Sequence, residues 1–415
     1  MSSRDASRLA YPQPSGPHPV GVTDGELHDT HYPPLREQDA DGRRLMVRVW
    51  YPAGTDRGER RPYLTSVEAD VAGLGITGDE PPLLPAAWMA RLGEVLTHGL
   101  LDAPPTRGTF PTLVFSHGGL GHVSQNTPLM EHLASHGYVV WSLAHPGESA
   151  GIVYPDGHVV TFDESFRDVV FGHGAGPVAD ARLSDDIGVR LEATRQMLDD
   201  QTLGPWQRRW VDDTRALLDA IAEGTVRTNL PDVAAMCDPS RVGTLGMSFG
   251  GATAASVAQV DERVSVAVNL DGGHYLSDLL DTDIRVPLLE LTSDLAGWLG
   301  RLGTAAHFLE YNEFFYESFT TAGLRPDVVR LRIPGITHLE LTDFLLLPAA
   351  DRAAAIPGGG IVDSLRVVSL LNNVIREHLD NAFAGDVTRF ADIGTGFPEL
   401  ERVDLTPLRT WASNR

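Results

Sequence analysis

The stretch Arg241-Val242-Gly243-Thr244-Leu245-Gly246-Met247-Ser248-Phe249-Gly250-Gly251-Ala252-Thr253 decides how the rest of the chain is read. A short β-favouring run meets a Gly-x-Ser-x-Gly turn, and a helix of small residues from Ala252 to Val260 follows at once. On a strand-turn-helix of this kind the serine is lifted above the sheet edge, in a backbone geometry that Gly246 and Gly250 make sterically possible. The turn also aims the N–H of the next residue, Phe249, at the place where an oxyanion forms, and the helix N-terminus adds positive potential. Ser248 is therefore the expected nucleophile. The rival reading, a glycine-rich turn with an incidental serine, explains the motif but not the strand and helix on either side.

Outward from this turn the chain alternates strand and helix. Leu45 to Tyr51 reads as a strand closed by Pro52, Thr112 to Phe115 as a buried strand, and Gly137 to Leu143 as a strand covered on both faces, with a helix from Thr127 to His136 between the last two. Strands are expected at 264–270, 286–291 and 328–333, and a long amphipathic helix at 361–383. This rhythm predicts an α/β-hydrolase fold, a mostly parallel sheet flanked by helices. Residues 1–18, rich in Pro, Ser and Gly, read as a flexible lead-in to a domain spanning 19–384, and residues 385–415 as a C-terminal extension. Lid- or cap-like insertions are expected at about 62–108 and 151–205. In the first, Pro85 opens a helix with Trp88, Leu92, Val95 and Leu96 on one side, packed on the core or walling the site. In the second, the Asp pair 199/200 and, just beyond it, the pair 212/213 read as solvated helix faces.

The chemistry needs three further parts. A serine hydroxyl requires a base and a group that orients the base, and in this fold both follow the serine in the order acid, then histidine. Of the downstream histidines His274, His307, His338 and His378, only His338 stands on a turn just after a predicted final strand. Asp271 and Asp294 each end a strand after the nucleophile, and spacing alone does not choose between them. Ser116-His117-Gly118-Gly119-Leu120-Gly121 follows a buried strand and offers a second oxyanion N–H, from Gly119 or, one residue on, Leu120. His145 and Glu148 end the next strand near the site without a chemical role. The aromatic run from Phe308 to Phe319 reads as core packing or, secondarily, as an acyl pocket.

Composition narrows the partners. With 33 basic against 56 acidic residues the net charge is −23, which argues against nucleic acid or an anionic membrane as a partner. No stretch has the 18 or so uninterrupted apolar residues of a membrane span. The single cysteine, Cys237, suits a reducing compartment and reads as a small packed thiol in a loop-like run. His117 and His122 lack a third ligand, so no metal or other cofactor is expected. The first residues show neither a secretory signal nor the glycine that myristoylation needs, which points to a cytoplasmic location.

Val-Trp-Tyr-Pro at 49–52, Phe-Ser-His-Gly at 115–118, Gly-Met-Ser-Phe-Gly-Gly at 246–251, Leu-Asp-Gly at 270–272 and Gly-Ile-Thr-His at 335–338 followed by Asp343-Phe344 together resemble the platelet-activating factor acetylhydrolase family of α/β-hydrolases. The resemblance implies a serine esterase or lipase acting on short- to medium-chain or phospholipid-like esters. It also implies that the acid is Asp271, which stands 23 residues beyond Ser248 as in that family, and not Asp294. An extra glycine after His-Gly, the larger acidic middle segment and the extension beyond about 384 depart from the family and loosen the tie to an acetyl-phospholipid. A thioesterase, polyester hydrolase, lactonase or acyltransferase would use the same three residues, and a catalytically silent binding protein is the non-enzymatic alternative.

Overall fold

The computed structural model describes residues 11–32, 41–77, 91, 95–172 and 176–415. In chain order the strands are β1 (Val20–Asp29), β2 (Arg43–Pro52), β3 (Arg60–Pro62), β4 (Leu96–Leu101), β5 (Phe110–Ser116), β6 (Val139–Leu143), β7 (Gly151–Val153), β8 (Val159–Thr161), β9 (Arg227–Thr228), β10 (Cys237–Met247), β11 (Val264–Leu270), β12 (Leu288–Thr292), β13 (Val328–Arg332) and β14 (Glu401–Arg402). Twelve of them make one sheet in the order β14-β13-β12-β11-β10-β5-β6-β2-β1-β4-β3, with β9 on β1, while β7 and β8 form a separate hairpin. The run from β13 through β6 is parallel, and β2 then joins β6 antiparallel. This is the α/β-hydrolase architecture expected from the motif rhythm.

The helices are α1 (Ser66–Thr77), α2 (Thr127–Ser135), α3 (Glu164–Gly172), α4 (Pro177–Ala181), α5 (Ile187–Asp199), α6 (Gly204–Glu223), α7 (Phe249–Val260), α8 (Leu295–Arg301), α9 (Ala349–Ala355), α10 (Ser364–Ala384) and α11 (Thr406–Ser413). Alternation along the strands divides the core into two layers. Leu113 and Phe115 of β5 face α2 and α10, where Leu129, Leu133, Val374 and Ile375 are buried. Val114 between them faces the other layer, with Leu217 of α6 and Ala255 of α7. The central strands are buried on both sides, which is why they read as near-continuous apolar runs.

Several boundaries differ from the sequence reading for identifiable reasons. Strand β1 went unrecognised because Gly21 and Gly25 interrupt its alternation, yet a side chain at Gly21 would collide with the Tyr51 ring of the adjoining strand. Of the lead-in, residues 11–18 pack against the domain: Tyr11 is buried edge-on to Tyr63, and the His18 N–H donates to the Ser135 carbonyl at 3.0 Å. Most of the helix expected from Pro85 lies outside the described residues, and Leu96 begins β4 instead of extending a helix. Cys237 opens β10, where its sulfur accepts the Trp141 indole N–H at 3.3 Å. Residues 385–415 belong to the core, because Phe390, Ile393, Leu405 and Leu408 are buried and β14 pairs with β13.

Candidate active site

Strand β10 delivers Ser248 to a sharp turn with φ 55° and ψ −127°, a conformation that costs a residue with a Cβ on the order of 1–3 kcal/mol. Two glycines make the turn possible. A Cβ on Gly250 would collide with the Ser116 and His117 carbonyl oxygens, and one on Gly246 with the Gly250 carbonyl. The end of β5 therefore lies directly on the turn, and α7 starts from it with its N–H groups facing the serine.

His338 stands just after β13. Its backbone is held by Thr337 and Glu340, whose side chains cap each other's main chain, and Glu340 is in turn paired with Arg352 at 3.1 Å. From there His338 Nε2 lies 2.9 Å from Ser248 Oγ, and Nδ1 lies 2.7 Å from Asp271 Oδ2. The second oxygen, Oδ1, accepts the Ser293 N–H at 3.0 Å, so both oxygens are engaged and the carboxylate cannot rotate freely. Burial opposes charge on Asp271, but the His338 and Ser293 hydrogen bonds outweigh it and hold the carboxyl below its ordinary range. The imidazole is 45% exposed and Asp271 only 7%, so the base faces the pocket while its orienting group is sheltered.

Asp294, the alternative acid, is engaged elsewhere. Its Oδ1 caps α8 by accepting the Gly297 N–H at 3.0 Å, and its Oδ2 accepts the Gly335 N–H at 3.0 Å. It steadies the turn leading to His338 without touching the ring.

The Gly118–Leu120 loop closes over the serine, with room for no more than a tight contact between a Cβ at Gly118 and the Ser248 Cβ, 3.2 Å apart. The Leu120 N–H donates to the Glu148 carbonyl at 2.9 Å, which removes it as an oxyanion donor. Gly118 N–H points to Gln125 Oε1 at 3.3 Å. Among the described residues the Gly119 and Phe249 N–H groups have no acceptor within the protein, so these two are available to a ligand oxygen.

Behind the loop lies a buried charge cluster that the sequence reading missed. Arg43 pairs with Glu148 and, at 3.0 Å, with Asp213, and Asp213 also meets His145 Nδ1 at 2.8 Å. Asp213 was expected on a solvated face, but it sits on the side of α6 turned to the sheet and is fully buried. Burial keeps His145 neutral, lowering it to about 4 despite Asp213. The ring stacks on Trp210 at 3.7 Å, and Trp210 meets Phe249 edge-on at 4.9 Å. His117 Nδ1–H donates to the Gly118 carbonyl at 2.7 Å, and its Nε2 lies 2.8 Å from Ser149 Oγ in the loop after β6.

A pocket of about 1250 Å³ opens over Ser248 and His338. Leu295, Trp298 and Leu299 of α8 line one wall and Tyr275, Tyr311 and Phe314 another, so part of the aromatic run expected as core does face the site. Among the described residues no group of His, Cys, Asp and Glu is arranged to hold a metal ion. None of their helices is long and apolar enough to cross a membrane.

A serine, a histidine and a buried aspartate in one hydrogen-bonded line, on the elbow of an α/β-hydrolase sheet and facing an apolar pocket, are the equipment of a serine hydrolase. Comparison with known proteins finds similarity to one family. The model of the family "Platelet-activating factor acetylhydrolase, isoform II" matches residues 4–166, a span that includes the Gly118–Leu120 loop and stops short of Ser248. The platelet-activating factor acetylhydrolase of Cavia porcellus is 21% identical over 87% of this chain and 75% of its own length. That of Canis lupus familiaris is 22% identical over 71% of this chain and 62% of its own. Among solved structures, a ferulic acid esterase from Streptomyces cinnamoneus superposes with a TM-score of 0.69 at 22% identity, covering 96% of this chain and 100% of that one, which is a likeness of fold. The family resemblance carried by the sequence motifs is thus the one the comparisons find, and they support a serine ester hydrolase.

Proposed function

We propose that the protein hydrolyses carboxylic esters through an acyl-enzyme on Ser248, with His338 as general base and acid and Asp271 as the group that orients it. The observation that carries this reading is the unbroken line from Asp271 Oδ2 through His338 to Ser248 Oγ, with links of 2.7 and 2.9 Å, at the floor of a pocket. In the first half-reaction Ser248 Oγ attacks the ester carbonyl as its proton passes to His338 Nε2. The carbonyl oxygen takes up the negative charge, facing the Gly119 and Phe249 N–H groups. Collapse breaks the bond to the alcohol oxygen, which leaves with the proton from His338. Water then repeats the sequence on the acyl-enzyme, releasing the acid and restoring Ser248. Asp271 stays ionised throughout and stabilises the imidazolium.

The mostly apolar walls favour an acyl chain or aromatic group over a polar one. The test is turnover of a 4-nitrophenyl ester series, acetate through dodecanoate, by wild type and Ser248→Ala, together with labelling by a fluorophosphonate. Wild type is expected to turn over part of the series and to be labelled once per chain, and Ser248→Ala to do neither. Full activity in Ser248→Ala overturns the assignment, and so does an inert wild type.

A further inference from the structure

Two guanidinium groups line the pocket, and they are held very differently. Arg190 is buried and gripped from two sides by Glu313, at 2.6 and 3.1 Å. Arg182 has no such partner. It lies over the Tyr311 ring at 4.7 Å and donates to the Met197 thioether at 3.3 Å and the Tyr311 carbonyl at 3.4 Å, both weak acceptors by nature or distance. Among the described residues no carboxylate forms an ion pair with it, in a chain that holds 56 acidic side chains against 33 basic ones. All but one of the acidic groups on the pocket wall are engaged. Glu310 pairs with Arg330, Glu313 with Arg190, Asp271 with His338, and Asp343 takes the Thr127 N–H, while Asp200 binds Thr202 and Asp180 is exposed on α4.

The position of Arg182 relates it to the reaction centre. Tyr275 packs against Phe249 at 5.7 Å, and its hydroxyl is hydrogen-bonded to Tyr311. The Tyr311 ring lies so close on Gly273, two residues past Asp271, that a Cβ there would collide with it. Arg182 covers the other end of this aromatic wall. A planar fork of donors, half-buried, facing a cavity and, among the described residues, without a counter-charge, matches an oxyanion such as a carboxylate.

We propose that Arg182 anchors a free carboxylate carried by the substrate, so that the preferred substrates are esters bearing an acid group on the portion that lies along Tyr275 and Tyr311. This rests on the ester-hydrolase reading above and narrows it from esters in general to half-esters and ester-linked acids. The surrounding protein, at net charge −23, repels anions, so a preference for such substrates requires a local cation of this kind.

The experiment compares matched pairs. On the acyl side the pair is the 4-nitrophenyl monoester of adipic acid against 4-nitrophenyl hexanoate; on the leaving-group side it is 4-acetoxybenzoate against methyl 4-acetoxybenzoate. The readout is the ratio of kcat/KM, anionic over neutral, divided by the same ratio for hydroxide-catalysed hydrolysis, which removes intrinsic reactivity. Wild type is expected to exceed unity by about tenfold or more in at least one pair, the usual worth of a charge-assisted hydrogen bond. Arg182→Gln should return that ratio to about one, and Arg182→Lys should fall between. Arg195→Gln, an equal change of charge at an exposed position on α5, should keep the wild-type ratio. A ratio near one in both pairs for wild type, or a ratio that survives Arg182→Gln, overturns the proposal. Should Arg182→Gln fail to fold, the wild-type and Arg182→Lys ratios decide. Brisk, Ser248-dependent turnover of the neutral esters with no anion preference removes this inference and leaves the hydrolase reading intact, whereas inertness toward every ester removes both.

Discussion

Replacing Asp271 with asparagine keeps the shape of the side chain and removes only its charge and one acceptor, which makes the expected loss calculable. In the wild type two donors converge on the carboxylate, His338 Nδ1–H at 2.7 Å and Ser293 N–H at 3.0 Å, and each oxygen serves one of them. An asparagine offers one oxygen and an NH₂. If its oxygen stays on the Ser293 N–H, the NH₂ faces Nδ1 and forces the proton to Nε2, so the ring presents a donor to Ser248 where a base is needed. If the amide turns over, a buried N–H faces another N–H. Either way the correct tautomer is penalised and the imidazolium loses its counter-charge. Buried aspartates in equivalent arrangements cost about 10⁴-fold in kcat when neutralised, about 5.4 kcal/mol of transition-state stabilisation. Asp294→Asn provides the contrast. Asparagine caps a helix as well as aspartate does, and the change weakens the bond to the Gly335 N–H, about 1 kcal/mol, and the part-exposed ion pair with Arg301 at 3.6 Å, which adds little. It should therefore stay within about fivefold of wild type. The assay is kcat/KM on the best 4-nitrophenyl ester at neutral pH, with the melting temperature checked in parallel. The reasoning fails if Asp294→Asn loses activity on the scale of Asp271→Asn, or if Asp271→Asn retains more than a few per cent of wild-type kcat.

Ser248→Gly should be more stable than Ser248→Ala by about 1–2 kcal/mol in urea unfolding, because φ 55° with ψ −127° strains any residue carrying a Cβ; equal midpoints would show that the turn stores no strain. Gly250→Ala should abolish activity and lower soluble yield, since its methyl has nowhere to go between the Ser116 and His117 carbonyls, and an active, well-folded variant would mean the elbow yields more than its packing implies. The third concerns pH. Burial lifts the Asp343 carboxyl, which accepts the Thr127 N–H at 2.9 Å, to about 7. A carboxyl raised on folding binds a proton in the native state that the unfolded chain has lost, so it subtracts stability as pH climbs from about 4 to 7 and nothing further above that. Asp343→Asn mimics the protonated form, and its melting-temperature advantage over wild type should grow between pH 5 and pH 8; a constant difference across that range would show that Asp343 does not titrate there.

The central parallel strands, the elbow and the histidine turn were legible in the sequence because each has a local signature: buried parallel strands are continuous apolar runs, and the elbow needs glycines at fixed positions around its serine. The choice between Asp271 and Asp294 was not local. Both end a strand, and what separates them is that the turn after β13 brings His338 over β11, while Asp294 is consumed by the helix it caps. Likewise Leu120 and Gly119 are equivalent on paper, and only the Glu148 carbonyl, reaching across from the next loop, takes the Leu120 N–H out of use. Residues 11–18 and 385–415 carry no periodic signature for a different reason. Their proline, glycine and charge content lacks periodicity, yet a few well-placed side chains, Tyr11 at one end and Leu405 and Leu408 at the other, are enough to tie them to the core.

Buried charge is what sequence patterning reads worst, and here it sits where the proposed chemistry needs rigidity. Arg43 lies on β2, Glu148 in the loop after β6 and Asp213 on α6, three elements that no spacing rule connects. Taking these ions out of water is costly, and a pair of this kind rarely adds net stability over apolar packing. What the cluster does contribute is position. Glu148 hands its carbonyl to the Leu120 N–H, fixing the loop so that the neighbouring Gly119 N–H is left free, and Asp213 orients the His145 ring that stacks on Trp210, which in turn packs against Phe249. The two free N–H groups beside Ser248 come from segments more than a hundred residues apart, and one buried network braces both. Donors aimed at a developing oxyanion stabilise it only if they do not have to reorganise when the charge appears. A rigid ionic brace meets that requirement in a way that a deformable apolar contact does not, which gives a physical reason for placing costly charges directly behind the loop.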